Sequence, residues 1–205
     1  MPFLLWVIYG VIVLLAYLLG SIPWGLLLTR RFSAIDIRRH GSGNIGATNV
    51  RRLAGNRLGL ATLAADLLKG ALPVYGAAVF FNQAGISPPA AALALVALAA
   101  FAGHLYPVYM RFKGGGKGIA TAAGGLLAMA PAAFAICLAV FCLALGLSRR
   151  VSVGSLAAAG VMPVVVMWAT GSFWTLMAAL LMTVLIFMRH KDNLRRIRNG
   201  TEPRI

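Results

Sequence analysis

The feature that most constrains this chain is the alternation of long apolar runs with short gaps, only some of which carry charge. Apolar runs fill residues 3–28, 58–81, 90–110, 119–148, 156–168 and 173–188. Several reach the ~20 residues that a helix needs to cross a bilayer. Backbone N–H and C=O groups have no partner in lipid, so such runs fold as helices that satisfy their own hydrogen bonds. With 60% hydrophobic and 11% charged residues among 205, the chain is too apolar for a soluble domain. It is expected as an all-α polytopic membrane protein forming a single domain over residues 1–205.

The location of the charges sets the topology. Of nineteen Lys and Arg residues, all but Lys69 fall in residues 30–57, 111–117, 149–150 and the tail from Arg189. The gaps at 82–89, 130–131 and 170–172 carry no charge. Basic gaps tend to stay on the cytoplasmic side. The pattern therefore predicts seven transmembrane helices, some short, with the N-terminus periplasmic and the C-terminus cytoplasmic. Residues 119–148, broken at Ala130-Pro131, make the weakest pair of arms, so five full spans plus a re-entrant hairpin is the alternative. The first run has no preceding basic region and is too long for a signal-peptide core, so it is expected to be retained. A net charge of +15 would suggest nucleic acid for a soluble protein. Here the positive residues lie between spans, which points to membrane lipids and to no nucleic-acid partner. Cys137 and Cys142 have no ligand-spaced neighbours and are expected as inert packing residues.

Within this apolar chain one polar stretch stands out, Arg38-Arg39-His40-Gly41-Ser42-Gly43-Asn44-Ile45-Gly46-Ala47-Thr48-Asn49-Val50-Arg51-Arg52. Glycines bring main-chain N–H groups close to a ligand, and Ser42, Asn44, Thr48 and Asn49 add short hydrogen-bonding side chains. The flanking arginines make an anion the natural guest. A second basic, glycine-rich loop runs Arg111-Phe112-Lys113-Gly114-Gly115-Gly116-Lys117-Gly118, ending in Ile119-Ala120-Thr121. Both loops, the Ser152–Ser155 turn and the tail are expected on one face of the membrane, where they can converge on one anionic ligand. Asp66 and Lys69 fall inside an apolar run at i and i+3, near enough to pair, and are expected to face the protein interior or an interfacial stretch. A structural and a site-supporting pair both fit. Pro23 predicts a kink in the first helix, either tolerated or opening its end toward the polar loop. In the tail, His190, Asn193 and Arg196 would share a face of a continuing helix.

These stretches, with Gly20-Ser21-Ile22-Pro23, Gly103-His104 and Pro107, and Arg189-His190 with Asp192-Asn193, resemble the bacterial acyl-phosphate:glycerol-3-phosphate acyltransferase (PlsY) family over nearly the whole chain. The resemblance implies an inner-membrane enzyme moving a fatty acyl group from acyl phosphate to the 1-hydroxyl of sn-glycerol 3-phosphate. Lysophosphatidic acid and phosphate would be the products, in phospholipid synthesis. By similarity, Ser42, Arg52, His190 and Asn193 are catalytic. Asn44, Gly46, Thr48, Asn49, His104, Lys113, Gly114, Gly115, Gly116, Lys117, Gly118 and Thr121 bind substrate, the second loop taking glycerol 3-phosphate. Asp66, Lys69 and Glu202 support the site. The family's second loop usually reads Phe-Lys-Gly-Gly-Lys-Gly; here one more glycine precedes Lys117. No cofactor is expected, and a monomer is.

The residues agree with such chemistry. Two phosphate-bearing substrates need two anion cradles, and two are present. No His-x4-Asp pair exists: Ile45, Tyr109 and Arg195 stand five positions after His40, His104 and His190. Four scattered carboxylates imply no metal, which also argues against a CDP-alcohol phosphotransferase. A transporter should show internal repeats, and a plain lipid binder would not need the Ser-Gly-Asn and Ala-Thr-Asn detail.

Overall fold

The computed structural model describes residues 2–205, with side chains from Leu4 onward. Every regular element among the described residues is helical: α1 (Pro2–Gly20), α2 (Trp24–Phe32), α3 (Ala47–Ala54), α4 (Asn56–Gln83), α5 (Ala90–Leu105), α6 (Ile119–Met129), α7 (Pro131–Ser148), α8 (Val151–Thr170), α9 (Phe173–Arg189) and α10 (Lys191–Arg198), with a 3-10 turn at Val108–Met110. By length and composition four helices can cross a membrane, or up to six if two bent pairs each count as one span. The seven expected are not reached on this measure, because α6 has 11 residues and rises only about 16 Å. The two arms expected within 119–148 are thus unequal: α7 has 18 residues.

The chain divides into two compact units, one up to Met129 and one spanning Ala130–Ile205. The division falls between Met129 and Ala130, one residue before Pro131. Proline has no N–H to continue the preceding helix but suits the first helical position, which Pro131 occupies.

In the first unit, α1 packs on α5, and α4 on α3, α5 and α6. Small residues let these helices approach closely, since lipid supplies no hydrophobic drive between them. A Cβ at Gly20 would strike the Ala100 carbonyl, and one at Gly103 the Tyr17 carbonyl. The expected kink is a true break: α1 stops at Gly20, Pro23 precedes α2, and the two axes are bent by 42°. The polar loop is only partly a loop. Its Ala-Thr-Asn half forms α3, whose Val50 is fully buried with Leu26, Ile37 and Ile45 beneath the polar residues.

In the second unit, α8 packs between α7 and α9. Ser152–Ser155, expected as a turn, is the first part of α8, with Gly154 close to Phe141. The tail helix does not continue α9 straight. A bend of 59° separates α9 from α10, with His190 at the joint.

Candidate active site

The first polar segment is built around Asn49, a buried side chain near the start of α3. Its Oδ1 accepts the Ser42 N–H at 3.0 Å, and its Nδ2 donates to the carbonyls of Asn44 at 2.9 Å, Ile37 at 3.1 Å and His40 at 3.4 Å. Asn49 therefore shapes the loop from within rather than reaching outward. Asn44 also works locally, its Oδ1 accepting the Gly46 N–H at 2.8 Å just before α3. Gly41 has φ +63°, and a Cβ there would collide with Asn49 Oδ1. The residues turned outward are Ser42, Arg51 and Arg52, all exposed, with Thr48 half-buried. Arg38 is engaged by Asp36, donating from Nε at 2.9 Å and Nη2 at 2.7 Å. Those bonds hold the Asp36 carboxyl well below the usual carboxylate range.

The second loop lies beside the first. Met110, just before it, packs against the Leu26, Ile37, Ile45 and Val50 cluster that floors the first segment. Arg111, Phe112, Gly114 and Gly118 all take positive φ, a conformation costly for the two non-glycine residues and typical of ligand-holding turns. Lys113 is exposed and Lys117 half-buried. Gly115 and Gly116 are buried against the end of α5, where a Cβ would meet the Leu105 carbonyl or the His104 ring. The Gly116 N–H donates to the His104 carbonyl at 3.1 Å. Met110 thus links the two glycine-rich, cationic turns, packing on the floor of the first and lying beside Gly114 of the second, and each turn is able to hold an anion.

Asp66 and Lys69 face the protein interior, 3% and 2% exposed. Lys69 Nζ lies 2.8 Å from Asp66 Oδ1 and donates to the Ile22 carbonyl at 2.9 Å. His104 Nδ1 stands 3.7 Å from the same Asp66 oxygen. Thr121 is also inward, its hydroxyl donating to the Asp66 carbonyl at 3.0 Å.

The second unit carries its own polar cluster. Glu202 Oε1 accepts from Ser152 Oγ and Asn193 Nδ2, both at 2.6 Å, and Oε2 accepts from Arg196 Nε at 2.7 Å. Burial pushes the Glu202 carboxyl up, but the bonds from Ser152, Asn193 and Arg196 outweigh it and hold the group below its ordinary value. His190 is buried, its Nδ1 2.8 Å from the Ile186 carbonyl. A carbonyl only accepts, so this bond places a proton on Nδ1 and directs Nε2 elsewhere. Ser152, read in the sequence only as part of a basic turn, emerges as a direct partner of Glu202. Its sole sequence signal was a hydroxyl beside Arg149-Arg150.

The family model described as "Glycerol-3-phosphate acyltransferase" matches residues 10–200. The chain belongs to the glycerol-3-phosphate acyltransferase family. A relative from Syntrophotalea carbinolica named glycerol-3-phosphate acyltransferase is 45% identical over 196 residues, 96% of this chain and 97% of the relative. One from Cereibacter sphaeroides with the same name is 48% identical over 200 residues, 93% of this chain and 87% of its own. Among solved structures, PlsY, an integral membrane glycerol 3-phosphate acyltransferase, in its glycerol 3-phosphate form superposes with a TM-score of 0.89 at 34% identity, covering 96% of this chain and 95% of that one. Its lysophosphatidic acid form gives 0.86 at the same identity and coverage. This chain is accordingly an integral membrane glycerol-3-phosphate acyltransferase of lipid synthesis, built from apolar helices.

Proposed function

We propose that the enzyme transfers a fatty acyl group from acyl phosphate to the 1-hydroxyl of sn-glycerol 3-phosphate, releasing lysophosphatidic acid and inorganic phosphate at the cytoplasmic face of the inner membrane. The observation that carries this reading is the presence of two glycine-rich cationic turns linked through Met110, in a chain similar to PlsY in its glycerol 3-phosphate and lysophosphatidic acid forms. Seven crossings fit the charge pattern if α6, shielded by α4 and α5, completes one within a thinned layer. The N-terminus then lies outside and the C-terminus inside.

Acyl phosphate is already activated, so alignment and charge stabilisation are what the protein has to supply. Arg52, Ser42 and loop N–H groups hold the acyl phosphate. Lys113, Lys117 and the glycines between them grip glycerol 3-phosphate. The substrate hydroxyl oxygen attacks the acyl carbon, the bond from that carbon to the phosphate oxygen breaks, and phosphate leaves with the electron pair. The hydroxyl proton passes to a phosphate oxygen of glycerol 3-phosphate, with His190 and Asn193 positioning the donor. The Nδ1 contact to the Ile186 carbonyl fixes the ring and its tautomer, as a positioning role requires. Purified protein supplied with glycerol 3-phosphate and palmitoyl phosphate should release phosphate and form lysophosphatidic acid. Turnover with acyl-CoA and none with palmitoyl phosphate would overturn the donor assignment.

A further inference from the structure

We propose that Asp66 and Lys69, inside α4, are positioning residues that set the glycine loop 113–118 in its anion-binding conformation, acting through His104 and Thr121. The inference rests on the reading of that loop as the glycerol 3-phosphate site. Neither residue has a part in the transfer described above.

Two charges inside a membrane helix each oppose insertion. As a device for stability alone, a buried ion pair does no better than apolar residues of similar size. What apolar side chains could not do is engage His104 and the Ile22 carbonyl, as the side chains of Asp66 and Lys69 do. The Asp66 side chain stands by His104, the last polar residue of α5 before the loop, and the Asp66 carbonyl takes the hydroxyl of Thr121, in the first turn of α6 after it. The loop is thereby held from both ends by one residue. His104 passes the restraint on directly, because its carbonyl receives the Gly116 N–H at 3.1 Å and its ring occupies the space a Gly116 side chain would need.

Lys69 closes the arrangement on the other side. Its Nζ bridges Asp66 Oδ1 and the carbonyl of Ile22, which lies in the break between α1 and α2. That carbonyl also accepts the Trp24 N–H at 3.0 Å. The strut therefore runs from the broken first span, through α4, to the loop that presents Lys113 and Lys117. Gly70 and Gly124 let α4 and α6 touch backbone to backbone, since a Cβ would strike the Thr121 carbonyl at the first and the Leu67 carbonyl at the second. A shift of Asp66 thus carries the start of α6 with it.

The test uses the full-length enzyme with both charges removed, Asp66→Val with Lys69→Met, beside Lys117→Ala and Thr121→Val. The double variant leaves no lone buried charge, so it should keep a thermal midpoint near that of the parent. Its KM for glycerol 3-phosphate should rise about tenfold while kcat at saturation and the KM for acyl phosphate stay within about twofold. Thr121→Val, which introduces no charge, should raise the same KM about threefold. A folded double variant with parental KM, or one that loses kcat at unchanged KM, overturns the inference. If the double variant does not fold, Thr121→Val decides alone, an unchanged KM counting against. Lys117→Ala separates the two readings: if it leaves the KM for glycerol 3-phosphate unmoved, the loop's assignment fails, whereas a rise there with none in the other variants sinks only the strut.

Discussion

The side-chain oxygen of Asn49 accepts the backbone N–H of Ser42 at 3.0 Å, tying the start of α3 to the turn before it. The amide nitrogen of the same residue faces three carbonyls. Asn49→Ala should strip these backbone groups of their partner, costing about 2–4 kcal/mol of stability and lowering turnover at least tenfold. Asn49→Asp is the sharper test. It keeps size and shape but turns the donor edge into a carboxylate facing carbonyl oxygens, so it should be at least as damaging as alanine. Thermal midpoints and phosphate release on both variants check this, and an active, stable Asp variant would contradict the bonding described.

Glu202 sets a pH dependence on the second unit. Its folded-state carboxyl sits below the ordinary value of 4.5, so the unfolded chain binds the proton first on acidification. The stabilisation is therefore fully present above about pH 4.5 and is lost as pH falls through the folded value. Glu202→Gln should abolish that acid-side loss and flatten the curve of thermal midpoint against pH below 4.5. Glu202→Ala, which takes the acceptor from buried Ser152 and Asn193, should cost about 2–4 kcal/mol even at neutral pH.

How much of this was legible in the sequence depended on range. The glycine-rich, cationic make-up of both loops was visible, because glycine, lysine and arginine are conspicuous in an apolar chain. The pairing of Asp66 and Lys69 followed from i, i+3 spacing, while the cost of charge in lipid left an interior and an interfacial placement open; the pair lies inward. That His104 and Thr121 meet Asp66 was not visible, since helix packing alone brings those distant positions together. Nor could residue type separate the inward Asn49 from the outward Ser42, as either side chain suits a loop or a ligand. The eight residues of α3 carry no apolar run, and the helix is held by Val50 in the core and by Arg51 against Gly59 of α4. Ser152–Ser155 read as a turn because small polar residues serve turns and close helix packing alike. Near Phe141 they serve the second.

Glycine substitutions should sort by what a methyl group would meet. A Cβ at Gly115 runs into the Leu105 carbonyl, backbone that cannot move aside, whereas Gly76 on α4 has open space around it. Gly115→Ala should raise the KM for glycerol 3-phosphate at least tenfold by displacing the loop. Gly76→Ala should leave kinetics unchanged and stabilise α4 by up to about 1 kcal/mol. Equal behaviour of the two variants in a steady-state assay would break the link between the close approach and binding.

Arg52 separates charge from geometry at the other cradle. It is exposed in the last turn of α3, while Arg38 is engaged by Asp36. If Arg52 binds the acyl phosphate through a two-pronged guanidinium, lysine supplies the charge but not the fork. Arg52→Ala should lower kcat/KM for acyl phosphate by about 100-fold or more, a loss near 3 kcal/mol in line with a charge-assisted pair. Arg52→Lys should recover only part of that, and its residual activity should fall more steeply with added salt than the parent's, because a single exposed contact is screened more readily. The KM for glycerol 3-phosphate should move little in either variant, since that anion is assigned to Lys113 and Lys117. A rise confined to the glycerol 3-phosphate KM would exchange the two cradles, leaving the reaction intact and reversing which loop holds which substrate.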